Sequence, residues 1–184
     1  MKTRQHFFTA LFGAACMAGA GMANAAPMQV TSASFADGTA IPLANAGNAP
    51  GCGGQGISPQ VAWSGLPEGA QSVAVLISDP DGGKGAGVSH LVAYNIAAAR
   101  MQMKEGELGA DGPGVTVGKN SAGANAYRGM CPPNGDRPHH YILTVIATDV
   151  QPGTLAGGMT RDELMAALKG HTLGSQSVVG LYSR

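Results

Sequence analysis

Two carboxylates and a histidine flank a glycine-rich segment near the middle of the chain. Asp79 and Asp81 stand on either side of Pro80, and His90 follows the glycines. Proline donates no backbone hydrogen bond to a sheet, so this sequence ends an apolar strand and leaves both carboxylates at its rim. A carboxylate near an imidazole fixes its tautomer and favours its protonated form. The alternative is an ordinary turn in which aspartate caps backbone N–H groups, beside a histidine with a structural role.

A second group of polar residues leads into the strongest strand pattern of the chain. Pro132 and Pro133 form a stiff segment, and His139 and Tyr141 occupy alternate positions of the strand that follows. Alternation places these two side chains on one face of the strand and His140 on the other. They are then a matched pair of hydrogen-bond donors. The alternative is that Tyr141 belongs to the core and His139 to the surface.

The two groups describe one pocket if the strands that carry them are neighbours. If residues 75–78 pair with residues 91–96, the connecting loop returns His90 to the rim that holds Asp79. Such a pocket suits a small ligand with both signs, because imidazole, phenol and backbone N–H groups bind phosphate and a carboxylate binds ammonium. The enzymatic alternative is acid–base chemistry, or a divalent metal, at Asp79, His90 and His139.

Short strands dominate the pattern of the remaining chain. Strands are expected over residues 29–34, 61–63, 72–78, 90–96, 140–149 and 177–182. One helix is predicted from a capping box at Thr160–Glu163, and Gly170 supplies its stop. The 29 glycines and 11 prolines favour turns over long helices. The sequence therefore predicts a β-sandwich or barrel-like domain with a late helix.

The first 25 residues have the features of a secretory signal peptide. Lys2 and Arg4 form a basic start, residues 7–17 are apolar but too short to span a bilayer, and the Ala-Asn-Ala sequence ending at Ala25 fits the cleavage rule. We expect cleavage after Ala25 and a single domain over residues 26–184, periplasmic or secreted.

The three cysteines follow from this export prediction. A lipoprotein acylated at Cys16 is disfavoured, because Gly13 stands where a lipobox has leucine. Cys52 and Cys131 remain after cleavage, and two cysteines in an exported chain are most simply one disulfide. It would close a loop of roughly 80 residues, worth about 4 kcal/mol in the loop-entropy model. Two free buried thiols are the alternative, and no CxxC or CxH pairing points to a metal.

Charge and motifs exclude several classes of protein. Charged residues make up 12% of the chain, with 11 basic and 11 acidic side chains, whereas a nucleic-acid surface needs a basic excess. The sequence has no serine elbow, no HExxH and no phosphate-loop motif, so we expect no enzymatic activity.

Two separated signatures resemble the phosphatidylethanolamine-binding protein family, and more narrowly its bacterial Raf-kinase-inhibitor-like branch. They are DPDGG followed by HLVAYNI, and then YRGMCPPNGDRPHHYILTVIATD. The resemblance runs over residues 58–184. It implies a mainly β fold, a β-sandwich with Greek-key connections and a few peripheral helices. It also implies a binding protein without cofactor or metal, whose pocket accepts phosphate-type ligands or phospholipid head groups.

The resemblance assigns the pocket to named positions of this chain. The matching residues are Asp79, Asp81, His90, Pro132, Pro133, His139 and Tyr141. Arg128 and Cys131 are accessory candidates, and a bridge from Cys131 to Cys52 would pin residues 47–56 against the pocket wall. The chain departs from the family where Gly82-Gly83 replaces Ala-Pro and Leu91 replaces a frequent tryptophan. These changes imply a softer loop and no aromatic lid.

The sequence thus favours an exported, non-enzymatic binding protein with a small anion pocket. Its ligand would be a phosphorylated small molecule or a phospholipid head group. The alternative is a protease inhibitor, or another protein-interaction module, that binds a protein target through its surface. The resemblance also allows a homodimer.

Overall fold

The computed structural model of the protein describes residue 1 and residues 26–184. The predicted signal peptide, with Cys16 and the cleavage site, falls on residues 2–25 and so lies outside the described residues. In the part of the chain that the structure describes, no helix combines the length and apolar character needed to cross a membrane.

The described residues form two β-sheets and one short α-helix. The strands are β1 (Gln29–Thr31), β2 (Thr39–Ala40), β3 (Val61–Ser64), β4 (Ser72–Asp79), β5 (Val88–Ala97), β6 (Gln102–Met103), β7 (Thr116–Val117), β8 (His139–Thr148) and β9 (Thr172–Tyr182). The small sheet has the order β1–β3–β6, and the large sheet has the order β2–β9–β8–β4–β5–β7. Helix α1 spans Arg161–Ala167, and 3-10 turns lie at Leu43–Asn45, Gly83–Gly85 and Ala98–Arg100.

The mainly β prediction is confirmed, and every predicted strand is present with shifted ends. The largest shift is in β9, which begins at Thr172 and not at residue 177. The first half of this strand is exposed and has no apolar alternation, so the sequence pattern did not indicate it. The two-residue strands β2, β6 and β7 were not predicted, since two residues carry no periodicity. The capping box at Thr160 and Glu163 is confirmed. The chain leaves the helix through Gly170, whose φ of +84° suits glycine.

Strand β4, inside the large sheet, is buried on both faces, which explains its unbroken apolar run. Val73, Val75 and Ile77 face the small sheet and pack in the same cluster as Trp63. Ala74 and Leu76 face the opposite way, toward Leu164 and Leu168 of the α1 region. A central strand covered on both sides reads as a continuous apolar segment and not as an alternating one.

The register of β4, β5 and β8 brings the predicted site residues to one end of the large sheet. β4 pairs with both neighbours, so the conditional pairing of residues 75–78 with 91–96 is confirmed. Ile77 pairs with Leu91 and Ser78 with Ser89, which leaves His90 as the extra residue of a bulge. A bulge changes the direction of nearby side chains, and here both His90 and the adjacent Leu91 are buried.

A disulfide between Cys52 and Cys131 joins the loop of residues 47–56 to the loop that leads into β8, as predicted. The loops also share a backbone bond, because Gly47 donates its N–H to the carbonyl of Met130 at 2.8 Å. Residues 47–56 therefore lie fixed against the segment that leads into β8.

Candidate functional site

Asp79 ends β4 with a buried carboxylate that has partners on both oxygens. Its Oδ1 accepts the backbone N–H groups of Asp81 and Gly82, each at 2.9 Å. Its Oδ2 lies 2.8 Å from Nδ1 of His139 and 3.9 Å from Nε2 of His90. The turn-capping interpretation and the histidine-pairing interpretation therefore both hold for this one residue.

The carboxylate of Asp79 lies so close to Gly82 that a side chain at this position would collide with it. A Cβ on Gly82 would lie 2.8 Å from Oδ2 of Asp79 and 2.8 Å from Cγ2 of Val88. Glycine at this position thus lets the loop fold directly over the carboxylate. The consequence is a close cover over Asp79.

His139 begins β8, and its surroundings favour the charged form of its imidazole. Burial opposes its protonation, but the hydrogen bond with Asp79 and the charges of Asp79 and Asp81 outweigh burial and raise the pKa of His139. Its other ring nitrogen, Nε2, lies 3.6 Å from Oδ2 of Asp136, three residues earlier. The imidazole is thus held between a buried carboxylate and an exposed one, an arrangement that favours its protonation.

His90 has the opposite electrostatic setting. Its Nδ1 carries a proton, because it donates to the carbonyl oxygen of Arg128 at 2.6 Å. Burial lowers the pKa of His90, and the bond to Arg128 and the charge of Asp79 only partly oppose it. Its Nε2 is then an acceptor that lies 3.9 Å from Oδ2 of Asp79, beyond hydrogen-bonding distance.

Tyr141 supplies a buried hydroxyl that has no hydrogen-bond partner among the described residues. Its ring lies edge-on to His90, with centroids 5.2 Å apart, and nearly parallel to His139 at 6.4 Å. Burial raises the pKa of Tyr141, and the nearby Asp79 carboxylate raises it further through its charge and as a hydrogen-bond acceptor, so the phenol stays protonated although no well-formed hydrogen bond joins the two groups. A buried hydroxyl that makes no hydrogen bond costs up to roughly 1–3 kcal/mol, so this O–H is available to an acceptor placed better than the Asp79 carboxylate.

Asp79, His90, His139 and Tyr141 form what we call the inner cluster. The face prediction for β8 is confirmed, since His139 and Tyr141 are buried and His140 is exposed. Tyr141 is fully buried, as the core alternative required, yet it also lies against both histidines.

Asp81 is directed away from the inner cluster. Its Oδ2 accepts the backbone N–H and faces Nδ1 of His140, both at 2.8 Å, on the outer side of β8. These two hydrogen bonds lower the pKa of Asp81. Asp81 therefore ties the loop after β4 to the start of β8, and it influences His139 only through its charge.

The remaining predicted residues lie in the segment between Arg128 and Pro133 that precedes β8. Pro132 is buried, Pro133 is exposed, and Cys131 is engaged in the disulfide. The guanidinium of Arg128 is exposed, and this residue acts on the cluster through the carbonyl that orients His90.

Two residues of the site were missed by sequence reasoning. Asp136 reaches His139 by an i,i+3 contact that lies in a turn and not in a helix, so no periodicity pointed to it. Arg184 donates to the carbonyls of Pro132 and Gly51, and it fastens the chain end across the two loops of the disulfide. No motif marks the last residue of a chain, and only the fold brings it there.

No group of three or more His, Cys, Asp and Glu side chains within residues 26–184 is arranged to hold a metal ion. The inner cluster has one carboxylate and two imidazoles, but one imidazole nitrogen is taken by Asp79 and another by a backbone carbonyl.

Comparisons with known proteins agree on one family. The family model described as phosphatidylethanolamine-binding protein matches residues 31–183. A UPF0098 protein of Aquifex aeolicus is 33% identical over 168 residues, covering 88% of this chain and 92% of its own. YbcL of Escherichia coli is 38% identical over 129 residues, covering 68% and 70%.

Solved structures agree with the sequence relatives. The crystal structure of Escherichia coli YbcL, described as a new member of the mammalian PEBP family, superposes with a TM-score of 0.78 at 29% identity, covering 86% of this chain and 99% of that one. The structure of the homolog CT736 from Chlamydia trachomatis has a TM-score of 0.73 at 29% identity, covering 86% and 98%.

Proposed function

We propose that this chain, which belongs to the phosphatidylethanolamine-binding protein family, is a non-enzymatic binding protein whose inner cluster takes a phosphate-type ligand or a phospholipid head group. The observation that carries the proposal is the buried, unpartnered hydroxyl of Tyr141 beside two histidines. A phosphate oxygen is the acceptor that this O–H lacks, and charge-assisted bonds of this type are short and strong.

The two histidines support an anion in different ways. His139 already tends toward the charged form, so it lowers the electrostatic cost of a second negative charge near Asp79. His90 is disposed to be neutral in the free protein, and an anion that enters would stabilise a proton on its Nε2. We therefore expect ligand binding to take up a proton at His90.

The sequence predicted a ligand with both signs, and a carboxylate at the edge of the site is a candidate to bind the ammonium group of such a ligand. Asp136 is half-exposed and lies 3.6 Å from Nε2 of His139. A head-group ammonium placed at this carboxylate would leave the phosphate to face the phenol and the imidazoles. In this arrangement Asp81 acts through loop anchoring, Pro132 and Pro133 act as wall, and Arg128 acts by orienting His90.

The chemistry of the cluster supports binding over catalysis. The phenol has a raised pKa and is a poor nucleophile at neutral pH, and Cys131 is held in a disulfide. Asp79 has its oxygens engaged by two backbone N–H groups and one imidazole, which suits a structural counter-charge more than a general base.

We also propose that the protein acts in the periplasm or as a secreted protein. The leader pattern over residues 1–25 and the disulfide of Cys52 with Cys131 support this location, since disulfides persist in oxidising compartments. Mass spectrometry of protein recovered from the exported fraction should give a chain that begins at Ala26. Recovery of a chain that still carries Lys2 to Ala25 would contradict the proposal.

The test of ligand binding is an NMR titration with phosphoethanolamine that follows the imidazole signals. We expect saturable shifts of His90 and His139, and their loss in the Tyr141→Phe variant. His171→Gln is the matched control, because His171 pairs with Asp149 on the surface at 2.8 Å and should leave binding unchanged. Unshifted His90 and His139 signals at millimolar ligand would overturn the proposal.

A further inference from the structure

A cavity lies on the other face of the large sheet from the inner cluster. Its volume is about 560 Å³, within the range of roughly 300–1,000 Å³ typical of small-molecule sites. Ser78 of β4 and Ile142 of β8 are paired neighbours in its wall. Tyr141 alternates with Ile142 and faces the opposite way, so the two sites are separated by the sheet.

The cavity has two basic side chains, and the carboxylates near them are exposed or already hydrogen-bonded. Lys119 and Arg161 line it, and both are exposed. Asp162 also lines it, but its carboxylate is 94% exposed and lies 3.5 Å from Arg161, a pairing of little strength. Asp79 lines the cavity as well. Its carboxylate is already bound to the backbone N–H groups of the two residues after Pro80 and to His139. Glu163 is close enough to Lys119 for the lysine charge to help lower its pKa, but its carboxylate is already bound by the backbone N–H and the hydroxyl of Thr160.

Two serine hydroxyls in the wall of the cavity have hydrogen-bonding capacity left over. Ser121 accepts the N–H of Ser89 at 2.7 Å through its Oγ, and its own proton has no acceptor among the described contacts. The Oγ of Ser89 is buried and has no partner within the described residues. Unsatisfied hydroxyls beside two cations are the groups that a hydroxylated anion would complete.

Part of the wall is apolar, which narrows the ligand class. Pro80, Val88 and Ile142 line the cavity between the polar groups. A sugar ring presents C–H groups on its faces and hydroxyls on its rim, so it matches apolar wall and serine hydroxyls together. A bare inorganic anion would use only the two cations.

From this combination we infer that the cavity is a second ligand site, for a phosphorylated sugar, with Lys119 and Arg161 on the phosphate and the serine hydroxyls on the ring. The inference is independent of the function proposed for the inner cluster, because the two sites share only Asp79 and lie on opposite faces of the sheet.

The test is a titration of the purified protein with glucose 6-phosphate, followed by calorimetry and by backbone amide shifts. We expect saturable shifts at Ser89, Ser121 and Thr160, which lines the same cavity. The double variant Lys119→Gln/Arg161→Gln should weaken binding by about tenfold or more, as expected for loss of charge-assisted contacts. Lys169→Gln, an exposed lysine that does not line the cavity, is the matched control.

Further measurements distinguish binding in this cavity from binding at the inner cluster. They also distinguish the contribution of the sugar from that of the phosphate. Tyr141→Phe should leave glucose 6-phosphate binding unchanged, whereas it should weaken phosphoethanolamine binding by about tenfold or more. Glucose alone and inorganic phosphate alone should each bind at least about tenfold more weakly than the combined ligand. Shifts confined to His90 and His139, equal affinity for bare phosphate, or no saturation at millimolar ligand would each overturn the inference.

Discussion

Nδ1 of His139 lies 2.8 Å from Oδ2 of Asp79, and the two residues are 60 positions apart in the chain. The contact joins the end of β4 to the start of β8, at one end of the large sheet. Because the same carboxylate oxygen also faces His90, this pair sets the charge of the whole cluster.

The first prediction concerns the pH dependence of this contact. The folded-state pKa of His139 is raised above its ordinary value of 6.5. The stability that the pair adds is therefore fully present below pH 6.5 and is lost as the pH rises through the folded-state pKa. His139→Gln should lower the free energy of unfolding by about 1–3 kcal/mol at acid pH, and by less above neutrality.

Urea unfolding of wild type and His139→Gln at several pH values checks this. The surface variant His171→Gln, whose imidazole is 53% exposed, should show only a small change. A loss for His139→Gln that grows as the pH rises would contradict the assigned direction.

The second prediction separates stability from binding at Tyr141. Its hydroxyl is buried without a partner, so Tyr141→Phe removes an unsatisfied group and should leave the unfolding free energy unchanged or raise it by up to about 1 kcal/mol. The same change should weaken phosphoethanolamine binding by about tenfold or more. Thermal unfolding and calorimetry measure the two effects. A clear loss of stability would mean that the hydroxyl has a partner in the free protein.

The third prediction concerns the disulfide. Cys52 and Cys131 are 79 residues apart, and breaking a cross-link of that span should cost about 4 kcal/mol through the entropy of the unfolded chain. Denaturant unfolding with and without reductant measures the loss. The double variant Cys52→Ala/Cys131→Ala should be insensitive to reductant, and equal stability of oxidised and reduced wild type would refute the prediction.

The fourth prediction concerns a close backbone approach behind the site. A Cβ on Gly129 would lie 2.5 Å from the backbone nitrogen of Gly47, and backbone atoms held by the disulfide loops have little room to move. Gly129→Ala should therefore destabilise the protein by about 2 kcal/mol or more. Gly157→Ala is the matched control, because a Cβ there meets nothing within 4 Å and no positive φ is involved. Equal stability of the two variants would show that the loops yield easily.

Much of this fold could be predicted from local sequence patterns. The alternation of β8 correctly placed His139 and Tyr141 on one face, since side-chain direction in a strand depends only on the count of residues. The capping box of α1 was equally readable, because its partners are three residues apart. These features are determined by neighbours in the sequence, and no distant residue alters them.

Only the tertiary structure decided which polar groups meet. The bulge that inserts His90, the turn that brings Asp136 to His139 and the final arginine over the disulfide loops all depend on register and chain path. The sequence by itself determined the residue types and the strands that carry them. The partners of Asp79, the outward turn of Asp81 and the cavity behind Ser78 followed from tertiary packing, because contacts between distant strands are set by register and not by any periodicity within one strand.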